Sequence, residues 1–301
     1  MGRIAGRVAI VTGGGRGLGR THALALARGG ARVVVNDLGS ALDGEGQDLG
    51  PAESVCEEIR ALGGDAVASH HNVADWDEAE ALVRLAIESF DGLDVLVNNA
   101  GILRDRAFAN MSEAEWDAVI AVHLKGHAAP SHHAFVYWRE AAKGGSPRQA
   151  SIVHTTSSSG LCGNFGQANY GAAKMGIVGL MKVLAIEGAK YGVRSNAISP
   201  SARTRMTTVQ AGAEDVLSEP APGEFDPFAP RHISTLVAWL AEAACPATGQ
   251  VFHAAGRRIR VLDAPVIVHE AHSADDWTPG AIDAAVRNHL VTPLDAWNLI
   301  R

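Results

Sequence analysis

Short apolar runs recur along the chain near residues 7–12, 31–37, 65–70, 93–97, 150–156, 192–198 and 250–254, and segments with helical spacing separate them. Near-continuous apolar strands alternating with amphipathic helices predict one α/β domain, doubly wound, with a parallel sheet of about seven strands covered on both faces. Helix starts carry capping chemistry: Ser112 precedes Glu113 and Glu115, and Asp75 stands three residues before Glu78. In such a sheet, ligands bind beyond the carboxyl ends of the strands. Five segments are expected at that edge: the glycine loop after the first run, Asp37 after the second, Asn98 to Gly101 after the fourth, Ser157 after the fifth, and Pro200 to Thr204 after the sixth.

The first run, RVAIVT, leads into Gly13, Gly14, Gly15, Arg16, Gly17, Leu18 and Gly19, followed by the helix-like RTHALALARGG. Strand, glycine loop and helix together let backbone approach a pyrophosphate while helix N-terminal N–H groups face its charge. The spacing Gly13-x3-Gly17-x-Gly19 differs from the G-x-G-x-x-G fingerprint, so its context carries the argument. Asp37 ends the second run, about 20 residues beyond the glycines, where a carboxylate accepts hydrogen bonds from adenosine ribose hydroxyls. Arg16 would attract a 2′-phosphate and Asp37 would repel it. Repulsion at close range is expected to win, which makes NAD the expected cofactor.

Tyr170 and Lys174 stand four apart in GNFGQANYGAAKMG and so share one helix face. An ammonium beside a phenol is expected to lower its pKa from the ordinary value of about 10, giving a proton carrier near neutrality. Ser157, in HTTSSSG, lies 13 residues earlier and offers a hydroxyl to the same substrate oxygen.

Composition narrows the classes. The 301 residues are 47% hydrophobic and 20% charged, with a net charge of −7, and a chain of that length buries about 75% of its unfolded surface. The negative charge argues against nucleic-acid binding. No apolar run reaches the ~20 residues of a membrane span, and MGRIAG lacks the apolar core of a signal peptide and the Ser or Thr of a myristoylation signal, so a cytoplasmic location is expected. Cys56, Cys162 and Cys245 are far apart and read as buried thiols. Among 13 histidines, His123 and His127 have i,i+4 spacing, but no third ligand follows in pattern and no metal is expected. His132 and His133 are expected on different sides of one helix.

TGGGRGLG, NNAG, the Ser157, Tyr170 and Lys174 set, and NAISPSARTRM resemble the short-chain dehydrogenase/reductase family over roughly residues 4–256. NNAGILRDRAFANMSEAEWDAVIAVHLKG and GNFGQANYGAAKMGIVGLMKVLAIEG are similar to the (3R)-hydroxyacyl-CoA dehydrogenase module of peroxisomal multifunctional enzymes, without their hydratase and sterol-carrier modules. The resemblance implies a Rossmann fold and NAD-dependent interconversion of a secondary alcohol and a ketone, with a 3-hydroxyacyl-CoA as substrate. It makes Ser157, Tyr170, Lys174 and His123 the catalytic group. It puts Gly13, Gly15, Arg16, Gly17, Leu18 and Gly19 around the pyrophosphate, Asp37 at the ribose, and Asn72 with Val73 on the adenine side. Asn99, Ala100 and Gly101 become a cofactor wall, with Tyr170, Lys174, Pro200, Ser201, Thr204 and Met206 as further contacts, Thr204 at the nicotinamide amide. His123 stands where most of the family has Asn, a group that acts partly through its backbone carbonyl.

Arg203 to Pro230 is expected to form the substrate lid, with Arg104, Arg106, Arg203 and Arg205 available to coenzyme A phosphates. A hydroxysteroid or other bulky apolar alcohol is the alternative substrate; an NAD-binding sensor or structural subunit is the alternative of another class. Residues 257–301 read as an extension of the single domain 1–301, with one short helix after Pro279. The helices holding Trp116 to Trp138 and Tyr170 to Tyr191 resemble those through which the family pairs, implying a homodimer or homotetramer.

Overall fold

The computed structural model describes residues 3–208, 218–221, 223–262, 270–271 and 276–285. The chain divides into two compact units, Met1–Val261 and Leu262–Arg301. In the first, strands β1 (Val8–Thr12), β2 (Arg32–Asn36), β3 (Ala66–Ser69), β4 (Val95–Asn98), β5 (Ala150–Thr155), β6 (Val193–Ser201), β7 (Val251–Ala255) and β8 (Arg258–Leu262) form one sheet in the order β3-β2-β1-β4-β5-β6-β7-β8. β1 to β7 pair in parallel, at the places the apolar runs predict.

The strands read as continuous apolar runs because both faces are covered. Ala9, Val11, Val33, Val35, Val97 and Val153 face helices α1 (Gly17–Arg28) and α2 (Gly50–Ala61). Val8, Ile10, Val34, Leu96 and Ile152 face α3 (Trp76–Phe90) and α5 (Gly126–Lys143). Asp75 caps α3 by accepting from the N–H groups of Asp77 and Glu78, and Ser112 with Glu115 forms a capping box on α4 (Glu113–Ile120). α4 runs into α5 through a π-helical turn, Ala121–Lys125, that holds His123.

The sheet has eight strands where the sequence suggests about seven. β8 follows β7 after Gly256 and Arg257 alone, a connection too short for a parallel crossover, so it returns antiparallel. RIRVL carries two arginines and leaves Ile259 and Val261 exposed, which hid this edge strand within the expected extension. In the second unit, a helix at Pro279–Ala285 begins where Pro279 predicts.

Strand order reverses between β1 and β4, the position where doubly wound sheets open a crevice for ligand. The loops after β1, β2, β4, β5 and β6 all leave from that edge.

Candidate active site

The glycine loop is built for close approach. Gly13 has φ +62°, and a Cβ there would lie 2.8 Å from the Ala100 Cα; one on Gly19 would collide with the Gly13 carbonyl. Thr12 Oγ1 accepts from the N–H groups of Asn99 (2.9 Å) and Ala100 (3.1 Å), while Asn99 Nδ2 donates to the Gly13 carbonyl at 3.2 Å. These bonds clamp NNAG against the loop. Arg16 is the N-cap residue of α1 and makes no side-chain cap, so the first N–H groups of α1 lack the side-chain acceptor most helices supply. Glycine backbone beside uncapped helix N–H groups fits a pyrophosphate. Leu18 is half-buried and packs against the core beneath.

Asp37 bridges this loop and the next: Oδ2 accepts from Gly15 N–H and Oδ1 from Gly39 N–H, both at 2.7 Å. Arg16 points to Asp48 (3.0 Å) and to the Gly39 and Ser40 carbonyls (3.3 Å each). Asn72 Oδ1 accepts from Ala74 N–H at 3.0 Å, and Val73 is buried below it. Beyond β6, whose last residues are Pro200 and Ser201, the Thr204 methyl lies 3.8 Å from where a Gly17 Cβ would stand; Met206 follows in α8 (Arg205–Thr208). The segments before and after the cofactor crevice therefore meet across it.

Ser157 is the N-cap of α6 (Ser158–Cys162), and its Oγ accepts from Ser159 N–H at 3.2 Å. Its hydroxyl lies near enough to the Tyr170 phenol to lower that group's pKa. Tyr170 and Lys174 occupy successive turns of α7 (Ala168–Gly188), are 9% and 2% exposed, and keep the Lys174 Nζ 5.4 Å from the Tyr170 ring centroid. Lys174 donates to the Thr155 carbonyl at 2.7 Å, and Thr156 Oγ1 donates to the Lys174 carbonyl at 2.7 Å. Asn169 anchors the start of α7, with Nδ2 donating to the Arg104 and Glu115 carbonyls and Oδ1 accepting from Tyr170 N–H.

The electrostatics differ from the sequence expectation. Burial pushes Tyr170 up to about 12; the nearby Ser157 hydroxyl opposes this and the charge of Asp105 adds to it. Burial also brings Lys174 down to about 7. The physical reason is shared desolvation: the ammonium expected to acidify the phenol is itself disfavoured and bonded to a carbonyl. Asp105, raised by partial burial, accepts from Gln167 Nε2 at 2.7 Å.

His123 packs edge-on to Tyr170, with centroids 5.0 Å apart, and its Nε2 contacts the Ile102 carbonyl (2.8 Å) and N–H (3.1 Å). Gly101 leaves room for that ring, since a side chain there would strike it. The His123 side chain thus pins the segment after NNAG and does not bond Lys174. Burial and Lys174 hold its pKa well below the usual imidazole value.

Two further expectations are corrected, and the arginines expected at the active edge take defined partners. His132 and His133 both lie against Trp76, at 4.9 and 5.3 Å between centroids, because the helix α3 start brings that indole over the α5 face. Cys56 and Cys245 are buried, but Cys162 is half-buried. Arg104 is held by Glu45 (2.6 Å), Arg106 by Glu115 (2.7 Å) and Arg203 by Asp226 (2.8 Å), leaving Arg205 exposed. Of the expected lid, residues 209–217 and 222 lie outside the described residues. Among the described residues, no helix is long and apolar enough to cross a membrane, and no three His, Cys, Asp or Glu side chains cluster in a way that could hold a metal.

The comparisons agree with this geometry. Residues 7–215 match the family profile described as short chain dehydrogenase. A hydroxyacyl-CoA dehydrogenase of Mycobacterium tuberculosis is 44% identical over 297 residues, covering 95% of this chain and 89% of that protein. Peroxisomal multifunctional enzyme type 2 of Mus musculus is 44% identical over 250 residues, which are 83% of this chain and 32% of that longer enzyme. The crystal structure of a short chain dehydrogenase from Mycobacterium avium superposes with a TM-score of 0.84 at 49% identity, covering 96% of each chain. With its matching profile, near full-length relatives and shared fold, the chain belongs to the short-chain dehydrogenase family.

Proposed function

We propose that this protein is an NAD-dependent oxidoreductase that interconverts the hydroxyl and keto forms of a 3-hydroxyacyl-CoA. The observation that carries the chemistry is the convergence of Ser157, Tyr170 and Lys174 on the sheet edge that also holds the uncapped glycine loop. The substrate class rests on the near full-length similarity to a protein named hydroxyacyl-CoA dehydrogenase.

When bound, the oxidised cofactor supplies a hydride acceptor and a positive charge. The chain supplies the proton chemistry. Ser157 orients the substrate oxygen by its hydroxyl, and Tyr170 takes the alcohol proton as phenolate or returns it to the ketone as phenol. Lys174, bonded to Thr155, holds the position below the phenol and carries charge only near or below neutrality.

Asp37 faces the ribose end with a carboxylate already fixed by two N–H groups, while Arg16 is occupied by Asp48. A 2′-phosphate there would meet like charge at a cost of several kcal/mol. NAD is therefore expected to exceed NADP in kcat/KM by about two orders of magnitude, and Asp37→Ala to erase most of that preference. Equal use of both cofactors by the wild type would overturn the NAD assignment.

A second reading, a bulky apolar alcohol such as a hydroxysteroid, is favoured by one observation: three of the four arginines expected to meet coenzyme A phosphates are paired with carboxylates. The test is kcat/KM for a (3R)-hydroxyacyl-CoA against a hydroxysteroid. The acyl-CoA is expected to be at least about tenfold better, roughly one 1.4 kcal/mol step in transition-state binding; the reverse order selects the second reading. Absence of turnover with either, and with a panel of secondary alcohols, would leave a cofactor-binding role.

A further inference from the structure

Residues 38–49, which join Asp37 to α2, hold Arg16, the cation of the glycine loop. Arg16 Nη2 donates to Asp48 Oδ2 at 3.0 Å, and Nη1 donates to the Gly39 and Ser40 carbonyls at 3.3 Å each. Those acceptors are themselves fixed. Asp48 N–H donates to the Leu38 carbonyl at 3.2 Å, so the segment closes on itself. Gly39, at φ +69°, passes so close to the Asp48 carbonyl that any Cβ there would strike it. Asp48 Oδ1 accepts from Gly50 N–H at 3.0 Å, which leaves Oδ2 for Arg16. The far side of the segment is tied down as well. Leu103 N–H donates to the Leu42 carbonyl and Arg104 Nε to the Asp43 carbonyl, both at 2.8 Å.

The same segment meets the carboxylate expected at the ribose. Asp37 Oδ1 accepts from Gly39 N–H while Arg16 donates to the Gly39 carbonyl, so both charged groups are bonded to one residue. A Cβ on Gly15 would stand 2.9 Å from Asp37 Oδ2 and 2.7 Å from Pro51 Cβ, which brings the start of α2 against the glycine loop. Asp37 and Asp48 therefore share the neighbourhood of Arg16. An exposed ion pair alone holds a side chain weakly, and these side chains are 32% and 57% exposed. The two carbonyls and the closed segment supply the rest of the hold on Arg16.

We propose that Asp48 is a specificity-determining residue: it keeps Arg16 paired and so excludes NADP. The proposal rests on the NAD reading above and gives the two carboxylates different tasks. Asp37 favours NAD by accepting from ribose hydroxyls. Asp48 disfavours NADP by occupying a guanidinium that would otherwise pair with a 2′-phosphate, whose charge is roughly −1.5 to −2. Discrimination is a difference of two affinities, and denying a partner to the wrong ligand widens it.

Calorimetric titration of the full chain with NAD and with NADP tests this. Asp48→Asn keeps an oxygen for Gly50 N–H and removes the charge that holds Arg16. Its Kd for NADP is expected to fall about tenfold, equivalent to about 1.4 kcal/mol, while its Kd for NAD changes by less than about twofold. The retained NAD affinity reports that the variant is folded. The gain is expected to fade between about 0.01 and 1 M salt, as the screening length shortens, and to be mostly lost when Arg16→Ala is added. Asp37→Ala, by contrast, is expected to act chiefly by weakening NAD. A wild type that prefers NAD, with an unchanged Kd for NADP in Asp48→Asn, would overturn the proposal and leave the NAD reading standing. A gain that survives in full without Arg16 would do the same. Wild type binding NADP as tightly as NAD would strike the NAD reading, and the proposal with it.

Discussion

Tyr170→Phe is expected to lower kcat by about a thousandfold, within the 10²–10⁴ that a positioned proton carrier contributes, and to leave the Kd for NAD nearly unchanged. The substitution deletes one oxygen. The ring keeps its contact with His123 at 5.0 Å and its place beside Ile102 and Val119, so the loss in stability is expected to stay within about 1 kcal/mol, the scale of one polar contact. Steady-state kinetics and a cofactor fluorescence titration measure the two effects separately. A variant retaining most of its kcat would remove Tyr170 as the proton carrier.

The same residue sets the pH dependence. With the phenol pushed up to about 12 by burial, the free enzyme holds its proton at neutral pH and is ready to donate to a ketone. Alcohol oxidation needs the phenolate, so its kcat/KM rises with pH, while ketone reduction falls as the phenol ionises. Lys174, brought down to about 7, offsets part of this: below that value its ammonium favours the phenolate, and that support is lost as the amine forms above it.

Much of the site was legible because each part is local. The glycine run, Asp37, NNAG and the Tyr170 and Lys174 spacing each lie within a few residues, and the alternation of apolar runs brings their strand ends to one edge. What was not legible depends on burial and on distant segments. The i,i+4 spacing of Tyr170 and Lys174 predicts proximity, but the sign of the pKa change follows from desolvation, which spacing does not carry. His154 looks like an ordinary polar residue in IVHTT, and His127 like half of an i,i+4 pair with His123; only the pairing of β4 with β5 and the π turn before α5 bring His127 to His154 instead. The β8 strand was hidden because an edge strand with exposed Ile259 and Val261 lacks the continuous apolar run of its buried neighbours.

Acid is expected to unfold this protein at a pH where most globular folds are intact. His22, His123, His127 and His154 are all 1% exposed or less. Burial first, with Lys174 acting on all but His22, holds His22 and His154 at about 3 and His123 and His127 well below the usual 6.5. The unfolded chain binds these four protons as pH falls through about 6.5, and the folded chain does not. Stability is therefore fully present above 6.5 and is lost as pH falls towards 3. Between pH 6.5 and 5.5 each group costs roughly 1 kcal/mol, and four cost on the order of 4 kcal/mol, close to the whole stability of a marginal domain at about 5 kcal/mol. Urea unfolding followed by circular dichroism at pH 5.5, 6.5 and 7.5 measures this, and Tm is expected to drop by about 10 °C across the range. His154→Met removes one of the four titrating groups, so its loss over the same interval is expected to be about three quarters of the wild-type loss. A stability profile that stays flat from pH 7.5 to 5.5 would mean that these imidazoles are already charged, or reached by solvent, in the folded protein, and their neutral buried state would have to be given up.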